Sequence, residues 1–165
     1  MPHHNDRKAS FPTTFGLIQS VAWRVVKRWV RRSFPTVEGV STSELANELS
    51  NNKPSPILID VRKPEEYRIS HLPKALNLST LAAIEQQKIS SETSIVVYCS
   101  IGYRSGRLAQ QLQLAGYTVK NLEGSIFQWA NEGRSLVTTQ NGAEAATNEV
   151  HPYNQVWGML LKRNP

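Results

Sequence analysis

Residues 95–105 of the 165-residue chain read IVVYCSIGYRS: an apolar run, a short loop that holds the only cysteine, and the start of an amphipathic segment. An apolar run of this kind is typical of a strand buried on both faces of a parallel sheet. Over residues 105–115 the apolar side chains recur on one helical face and Gly116 follows, so this segment is predicted to be a helix. A strand that leads through a short loop into a helix is the repeating unit of parallel α/β folds.

The same alternation extends over residues 37–137, which we predict to be one domain. Predicted strands lie at residues 57–61, 75–78, 95–98 and 117–119. Predicted helices begin after Ser41 or Thr42, at Pro64, at Ser79, at Ser105 and at Gly124. The expected fold class is therefore α/β, with a parallel sheet flanked by helices on both faces.

The two ends of the chain differ in composition from this domain. The net charge of +6 comes from residues 1–32, which hold seven Lys or Arg and one Asp. We predict a flexible N-terminus at residues 1–14, a basic amphipathic helix at residues 15–34, and a linker with a C-terminal tail at residues 138–165. The polar composition typical of a linker covers residues 134–149.

In the basic helix, apolar and basic side chains fall on different sides. The apolar set is Phe15, Ile18, Val21, Ala22, Val25, Val26 and Trp29, and the basic set is Arg24, Lys27, Arg28 and Arg31. The basic residues interrupt the apolar sequence of this helix. No uninterrupted apolar stretch therefore reaches the ~20 residues that a membrane span needs. The order of apolar then basic residues, with no cleavage site, disfavours a signal peptide.

We therefore expect a cytoplasmic protein whose basic helix binds an anionic membrane surface peripherally, with Trp23 and Trp29 at the interface. The alternative is that this helix packs on the domain or on a second copy of the chain. Specific nucleic-acid binding is not expected from so short a basic face.

Cys99 is the candidate for covalent chemistry. A single cysteine excludes an internal disulfide framework and a cysteine-cluster zinc site, and no metal is expected. Cys99 follows a predicted parallel strand, where ligands bind in such sheets, and Gly102 lets the loop turn its N–H groups towards an anion. The positive end of the next helix adds to this effect, and both favour the nucleophilic thiolate. The alternative is a buried cysteine that only packs.

Four segments resemble the signature motifs of the rhodanese family. They are LIDVRKPEEY at residues 58–67, SHLPKALN at 70–77, VVYCSIGYRS at 96–105 and LEGSIFQW at 122–129. The third matches the family's loop pattern C-x-x-G-x-R-S. The second has Ser70 and Lys74 where the family usually has Gly, which is tolerated where the backbone avoids positive φ. The motifs occur in the family's order within residues 37–137.

The resemblance implies a rhodanese-like fold and a sulfurtransferase that needs no cofactor. Cys99 would take sulfur from a donor such as thiosulfate as a persulfide and pass it to a thiol or to cyanide. The implied substrate-binding residues are Ser100, Ile101, Gly102, Tyr103, Arg104 and Ser105, and the supporting residues are Asp60, Arg62 and His71. Arg104 is expected either to bind the donor's sulfonate or to pair with a carboxylate such as Asp60. The resemblance implies a structural role for His71.

Two other functions remain open from the sequence. One is a non-catalytic rhodanese-like binding or regulatory module, which the presence of Cys99 disfavours. The other is a phosphatase or arsenate reductase, because related phosphatases have a loop of the pattern C-x5-R. Here four residues separate Cys99 from Arg104, one fewer than that pattern requires.

Overall fold

The computed structural model describes residues 14–51, 54–140 and 142–162, so residues 1–13 of the predicted flexible N-terminus lie outside the description. A five-stranded sheet lies at the centre of the domain. The strands are β1 (Gly39–Val40), β2 (Ile57–Asp60), β3 (Leu76–Asn77), β4 (Ile95–Tyr98) and β5 (Val119–Leu122), in the spatial order β1–β5–β4–β2–β3. All neighbouring strands are parallel, which confirms the predicted α/β class. Every residue of the middle strand β4 is buried, as its apolar sequence predicts.

Two strands differ from the prediction. The two-residue strand β1 was not predicted, because it is too short to show a pattern and exists through its pairing with β5. The last strand of the sheet was predicted at residues 117–119 but begins at Val119 and runs through Lys120 and Asn121. Its position is set by the ladder with β4, in which Val119 pairs with Ile95, rather than by local β propensity.

Helices cover both faces of the sheet. They are α2 (Thr42–Ser50), α3 (Pro64–Ile69), α4 (Leu81–Gln86), α5 (Tyr103–Leu114) and α6 (Ser125–Asn131). Leu45 of α2 and Phe127 of α6 belong to the core on one face of the sheet. Ile84 of α4 and Leu112 of α5 belong to the core on the other face. Because neighbouring residues of β4 point to opposite faces, the strand contributes to both cores.

Two local predictions are decided by the backbone. Ser41, rather than Thr42, caps α2, and its side chain accepts a hydrogen bond from the amide of Glu44. Ser70 and Lys74, which replace glycines of the family motif, were expected to avoid positive φ. Ser70 does so, with an extended backbone at φ −166°, but Lys74 does not, with φ 61°. The Lys74 amide donates to Glu144 Oε1 at 2.8 Å, a contact that fixes this turn. A side chain in the left-handed region costs roughly 1–2 kcal/mol.

The predicted linker at residues 134–149 is wrong. Strands β6 (Leu136–Gln140) and β7 (Ala143–Thr147) form an antiparallel hairpin there. Two backbone hydrogen bonds between His71 and Val137 join the hairpin to the turn after α3. The predicted domain boundary at residue 137 therefore falls inside a strand. The Thr and Ala content of this segment gives little hydrophobic alternation, so pairing rather than pattern defines the strands.

The described parts of both chain ends pack on the domain. Helix α1 (Thr14–Ser33) occupies the predicted basic segment, and a four-residue helix, α7 (Gln155–Gly158), lies in the tail. Trp23, expected at an exposed edge of α1, is instead buried in the core that contains Leu160. The α1 residue Gln19 donates from Nε2 to the Leu160 carbonyl at 3.0 Å. Among the residues described, no helix is long and apolar enough to cross a membrane.

Candidate active site

Cys99 lies immediately after β4, at the carboxyl edge of the sheet. Gly102 has φ 105°, a conformation that favours glycine, and turns the chain into α5. Its backbone N–H donates to Cys99 Sγ across an N–S distance of 3.1 Å. Helix α5 begins at Tyr103, two residues earlier than predicted, so the cysteine loop adjoins the positive end of a 12-residue helix.

Two polar side chains from β5 and α6 fix the cysteine loop. Asn121 donates from Nδ2 to the Gly102 carbonyl at 2.9 Å and accepts from Ser105 Oγ at 2.7 Å. Ser125 Oγ accepts a hydrogen bond from the Cys99 amide at 3.2 Å. Sequence reasoning did not identify Asn121 or Ser125, although both lie at or next to the last family motif. The loop is thereby held from two directions by buried partners.

The surroundings of Cys99 favour the thiolate. Burial raises the pKa of the thiol, but the positive charge of Arg104 and hydrogen bonds from Ser105 and Gly102 oppose that effect. The net result is a pKa below the ordinary value of a cysteine. The site therefore stabilises the nucleophilic form of the one cysteine in the chain.

Arg104 forms a bidentate ion pair with a carboxylate, one of its two expected roles, but the carboxylate is Glu66 rather than Asp60. Both nitrogen–oxygen distances, Nη1 to Oε2 and Nη2 to Oε1, are 2.8 Å, and Nη2 also donates to Ser100 Oγ at 3.0 Å. Burial raises the pKa of Glu66, but the hydrogen bonds and charge of Arg104, together with the Lys63 amide and the charge of Arg62, bring the pKa below its ordinary value. Glu66 is thus an ionised partner of Arg104 that sequence reasoning did not identify. Its position after β2, the strand next to β4, is the signal that could have identified it.

Asp60 and Arg62 form a second ion pair, which is fully buried. Arg62 Nη2 lies 2.7 Å from Asp60 Oδ2, and both side chains are 0% exposed. Arg62 also donates to the Ser70 carbonyl, so the pair links the end of β2 to the end of α3. These contacts hold neighbouring elements together and give Asp60 and Arg62 a structural role.

His71 is positioned by the hairpin rather than by Cys99. Its Nδ1 lies 3.1 Å from the Tyr67 carbonyl, and its Nε2 lies 3.3 Å from Thr139 Oγ1. The ring is fully buried and stacks on Tyr67 at a centroid distance of 3.8 Å. These partners account for both ring nitrogens and give His71 a structural role.

A cavity of about 120 Å³ opens at Cys99. Ser100, Ile101, Tyr103 and Arg104 form part of its lining, and the rest comes from the chain ends as Trp29, Tyr153 and Trp157. The Trp29 ring stacks on Tyr103 at 4.6 Å and on Trp157 at 6.4 Å. The Arg104 guanidinium lies 4.6 Å from the Tyr153 ring centroid.

Trp29, Tyr153 and Trp157 were missed as site residues. They lie outside the four motifs. The one sequence signal for them is that aromatic residues are frequent near the two ends of the chain. In the described part of the chain, no group of three His, Cys, Asp or Glu side chains is placed to hold a metal ion.

Comparison with known proteins identifies the family. The Rhodanese-like domain model matches residues 41–132, more than half of the chain. The chain belongs to the rhodanese-like domain family. The match includes Cys99, Glu66 and Arg104, and it excludes α1 and the tail that complete the cavity.

Two curated relatives support a transferase role for this rhodanese-family chain. A protein of Allochromatium vinosum named Sulfurtransferase is 31% identical over 106 residues, covering 63% of this chain and 98% of the relative. The Saccharomyces cerevisiae Thiosulfate:glutathione sulfurtransferase is 25% identical over 117 residues, covering 62% and 84% of the two chains. Other curated relatives are longer, and this chain spans 54% and 26% of two of them.

A solved structure supports the fold assignment. The Rhodanese-like Domain Protein from Staphylococcus aureus superposes with a TM-score of 0.54 at 27% identity, covering 63% of this chain and all of that one. The predicted rhodanese-like fold is therefore confirmed.

Proposed function

We propose that this protein transfers sulfane sulfur through a persulfide on Cys99. The observation that carries the proposal is a lone thiol with a lowered pKa that accepts a hydrogen bond from Gly102 and opens into a small cavity. A thiolate in such a setting is a nucleophile held ready for attack. The names of the two curated sulfurtransferases support the same reaction class.

The reaction consists of two displacements at sulfur. In the first, the Cys99 thiolate attacks the outer sulfur of thiosulfate, an Sγ–S bond forms, the donor's S–S bond breaks, and sulfite leaves with the electron pair. In the second, a thiolate or cyanide attacks the outer sulfur of the persulfide, the Sγ–S bond breaks, and the Cys99 thiolate is restored. No net oxidation or reduction is required beyond the exchange of the sulfur atom.

The loop supplies electrostatic stabilisation in both steps. The Gly102 amide points at Sγ, and the N-terminal end of α5 adds partial positive charge. Arg104 contributes its charge, but Glu66 and Ser100 already occupy both of its terminal nitrogens. We infer that Arg104 acts on Cys99 through its charge and that Ser100, Ile101 and Tyr103 shape the space for the donor.

The same geometry disfavours phosphate chemistry. A tetrahedral phosphate needs a ring of amides and a free guanidinium around the nucleophile, and here the guanidinium is paired with a carboxylate. The loop is also one residue shorter than the phosphatase pattern. Sulfur transfer is therefore the function that the site supports best.

Intact mass spectrometry tests the proposal directly. The purified protein is expected to gain the mass of one sulfur atom after thiosulfate and to lose it after cyanide, because Cys99 is the single thiol that can carry it. Sulfite in place of thiosulfate is the matched control and is expected to leave the mass unchanged, since it has no sulfane sulfur. A chain that stays unmodified with both thiosulfate and glutathione persulfide, or that hydrolyses an aryl phosphate at a comparable rate, would contradict the proposal.

The charge of Arg104 is expected to set the pH range in which Cys99 reacts. Because the pKa of Cys99 is lowered, the thiolate fraction falls only as pH drops through that lowered value. In the double variant Glu66→Gln/Arg104→Gln, which strands no buried charge, the pH of half-maximal alkylation by iodoacetamide should rise by about 1, the lower end of the effect of one nearby charge. Alkylation reports on Cys99 alone, since the chain has no other cysteine.

Arg104→Lys is the control variant, because it keeps the positive charge at this position but cannot form the bidentate ion pair with Glu66. It is expected to keep the alkylation midpoint closer to that of the wild type than the double variant does. Equal midpoints in the wild type and the double variant would show that Arg104 does not tune the thiol.

A further inference from the structure

The outer side of α1 is an apolar ridge whose side chains are largely exposed in the described part of the chain. Its members are Leu17, Ile18, Val21, Val25 and Trp29, whose exposures lie between 42% and 65%. The opposite side of the helix packs on the domain through Trp23 and Val30, which are buried. The ridge is therefore what remains of the apolar surface after α1 has docked, and core packing does not explain it.

The tail, which packs on α1, also has exposed apolar side chains. Val156 and Met159 are 63% and 67% exposed, and they belong to the segment that α1 holds through the Gln19–Leu160 hydrogen bond and the Trp29–Trp157 stack. Of the twelve exposed large hydrophobic side chains in the described residues, eight lie on α1 or in the tail. Such a concentration marks an interaction surface, whereas exposed apolar residues scattered singly are ordinary.

A row of arginines runs beside the ridge. Arg24, Arg28 and Arg32 follow Val21, Val25 and Trp29 by three residues each, so each lies next to a ridge residue on the helix surface. All three are exposed, and within the described ranges none of their side chains has an ion pair or hydrogen-bond partner. Arg31, in contrast, is paired with Glu123 at 2.6 Å. Helix α1 contains no acidic residue.

We propose that the ridge and its arginine row form a docking surface for an anionic lipid membrane. The helix cannot span a bilayer but has the apolar face and basic flank of one that lies in the interfacial plane. The unpaired arginines match a negatively charged headgroup layer. A second copy of the chain fits less well, because two apposed ridges would bring arginine rows together with no acidic residue of α1 to balance them.

Docking would also orient the site. Trp29 belongs both to the ridge and to the wall of the Cys99 cavity, so the cavity mouth would lie at the headgroup layer. The docking proposal does not rest on sulfur transfer, since the residues that test it, Ile18, Val25, Arg24 and Arg28, lie outside the family domain and do not line the Cys99 cavity.

Co-sedimentation of the full chain with phosphatidylglycerol and phosphatidylcholine vesicles tests the proposal. Wild type is expected to bind phosphatidylglycerol vesicles, to bind phosphatidylcholine at least tenfold more weakly, and to lose affinity as salt rises. Ile18→Ser/Val25→Ser is expected to lose at least tenfold in affinity, because both side chains would leave lipid contact. Leu114→Ser, which alters an 85% exposed leucine on α5, is the matched control and should bind like wild type.

Two double variants, each of which removes two positive charges, separate attraction of the arginine row to lipid from a general effect of net charge. Arg24→Gln/Arg28→Gln should weaken binding about twentyfold or more, since each arginine near an anionic leaflet is worth about 1 kcal/mol, or about fivefold. Arg68→Gln/Lys88→Gln removes the same charge from exposed sites elsewhere and should leave the affinity within about threefold. Equal losses in the two doubles would overturn the proposal.

Two further outcomes would also overturn it. One is a wild-type dimer in sedimentation velocity that Ile18→Ser/Val25→Ser converts to a monomer, because a second copy would then cover the ridge. The other is wild-type affinity for phosphatidylglycerol in that serine variant while its thermal unfolding and sulfur transfer are unchanged.

Discussion

Replacing Cys99 with serine is expected to lower the turnover of thiosulfate and cyanide by roughly a thousandfold or more, as loss of a covalent nucleophile does in other enzymes. The serine hydroxyl preserves the shape of the side chain and can still accept from the Gly102 amide. It cannot form a persulfide, and it is not ionised near neutral pH. The measurement is the steady-state rate of thiocyanate formation, with the intact mass after thiosulfate recorded in parallel.

The control for this substitution is the stability of the fold. Cys99 is 1% exposed and packs among apolar residues of the α5 side of the sheet, so the serine variant should unfold at a slightly lower denaturant concentration. A folded variant without turnover is the expected result. Thiocyanate formation at the wild-type rate by Cys99→Ser would remove Cys99 from the mechanism.

The sheet and its reactive loop were predictable because their determinants are local. The apolar runs at β2 and β4 are long enough to indicate buried strands, and the cysteine loop follows one of them without interruption. Gly102 lies between β4 and α5, and a glycine at this place in the sequence also predicts the turn. In each case the residues that decide the structure are neighbours in the chain.

The partners of the loop were not predictable in the same way. Glu66 reaches Arg104 across 38 positions of sequence because β2 and β4 are adjacent in the sheet, a fact of topology. Asp60 is close to the same edge, but its carboxylate is engaged by Arg62 two residues away. Choosing between the two carboxylates requires the side-chain directions at the ends of the strands.

The cavity wall and the hairpin depend on contacts between distant segments. Trp29 and Trp157 lie 128 positions apart and meet only because α1 and the tail pack on the same face of the domain. The hairpin of residues 136–147 has weak hydrophobic alternation and is defined by its own pairing and by the bridge to His71. Composition alone therefore suggested a linker at residues where the structure has a β-hairpin that pairs with the domain.

Removing Arg62 is expected to destabilise the domain by about 3–5 kcal/mol, the usual cost of breaking a buried ion pair on one side. In Arg62→Met the Asp60 carboxylate would remain in a fully buried position without its guanidinium partner. The Ser70 carbonyl would lose a donor at the same time. Since natural domains are stable by about 5–15 kcal/mol, the loss would be a large part of the total. Urea unfolding followed by tryptophan fluorescence measures it.

Two comparison variants make this result specific to the buried pair. Arg68→Met removes an exposed arginine from the same helix α3 and should change the free energy of unfolding by no more than about 0.5 kcal/mol. Asp60→Asn/Arg62→Met removes the stranded charge and should recover at least about 1 kcal/mol relative to Arg62→Met, because an unpaired buried carboxylate costs more than a buried amide. If Arg62→Met unfolds within about 1 kcal/mol of wild type, the pair does not hold β2 and α3 together.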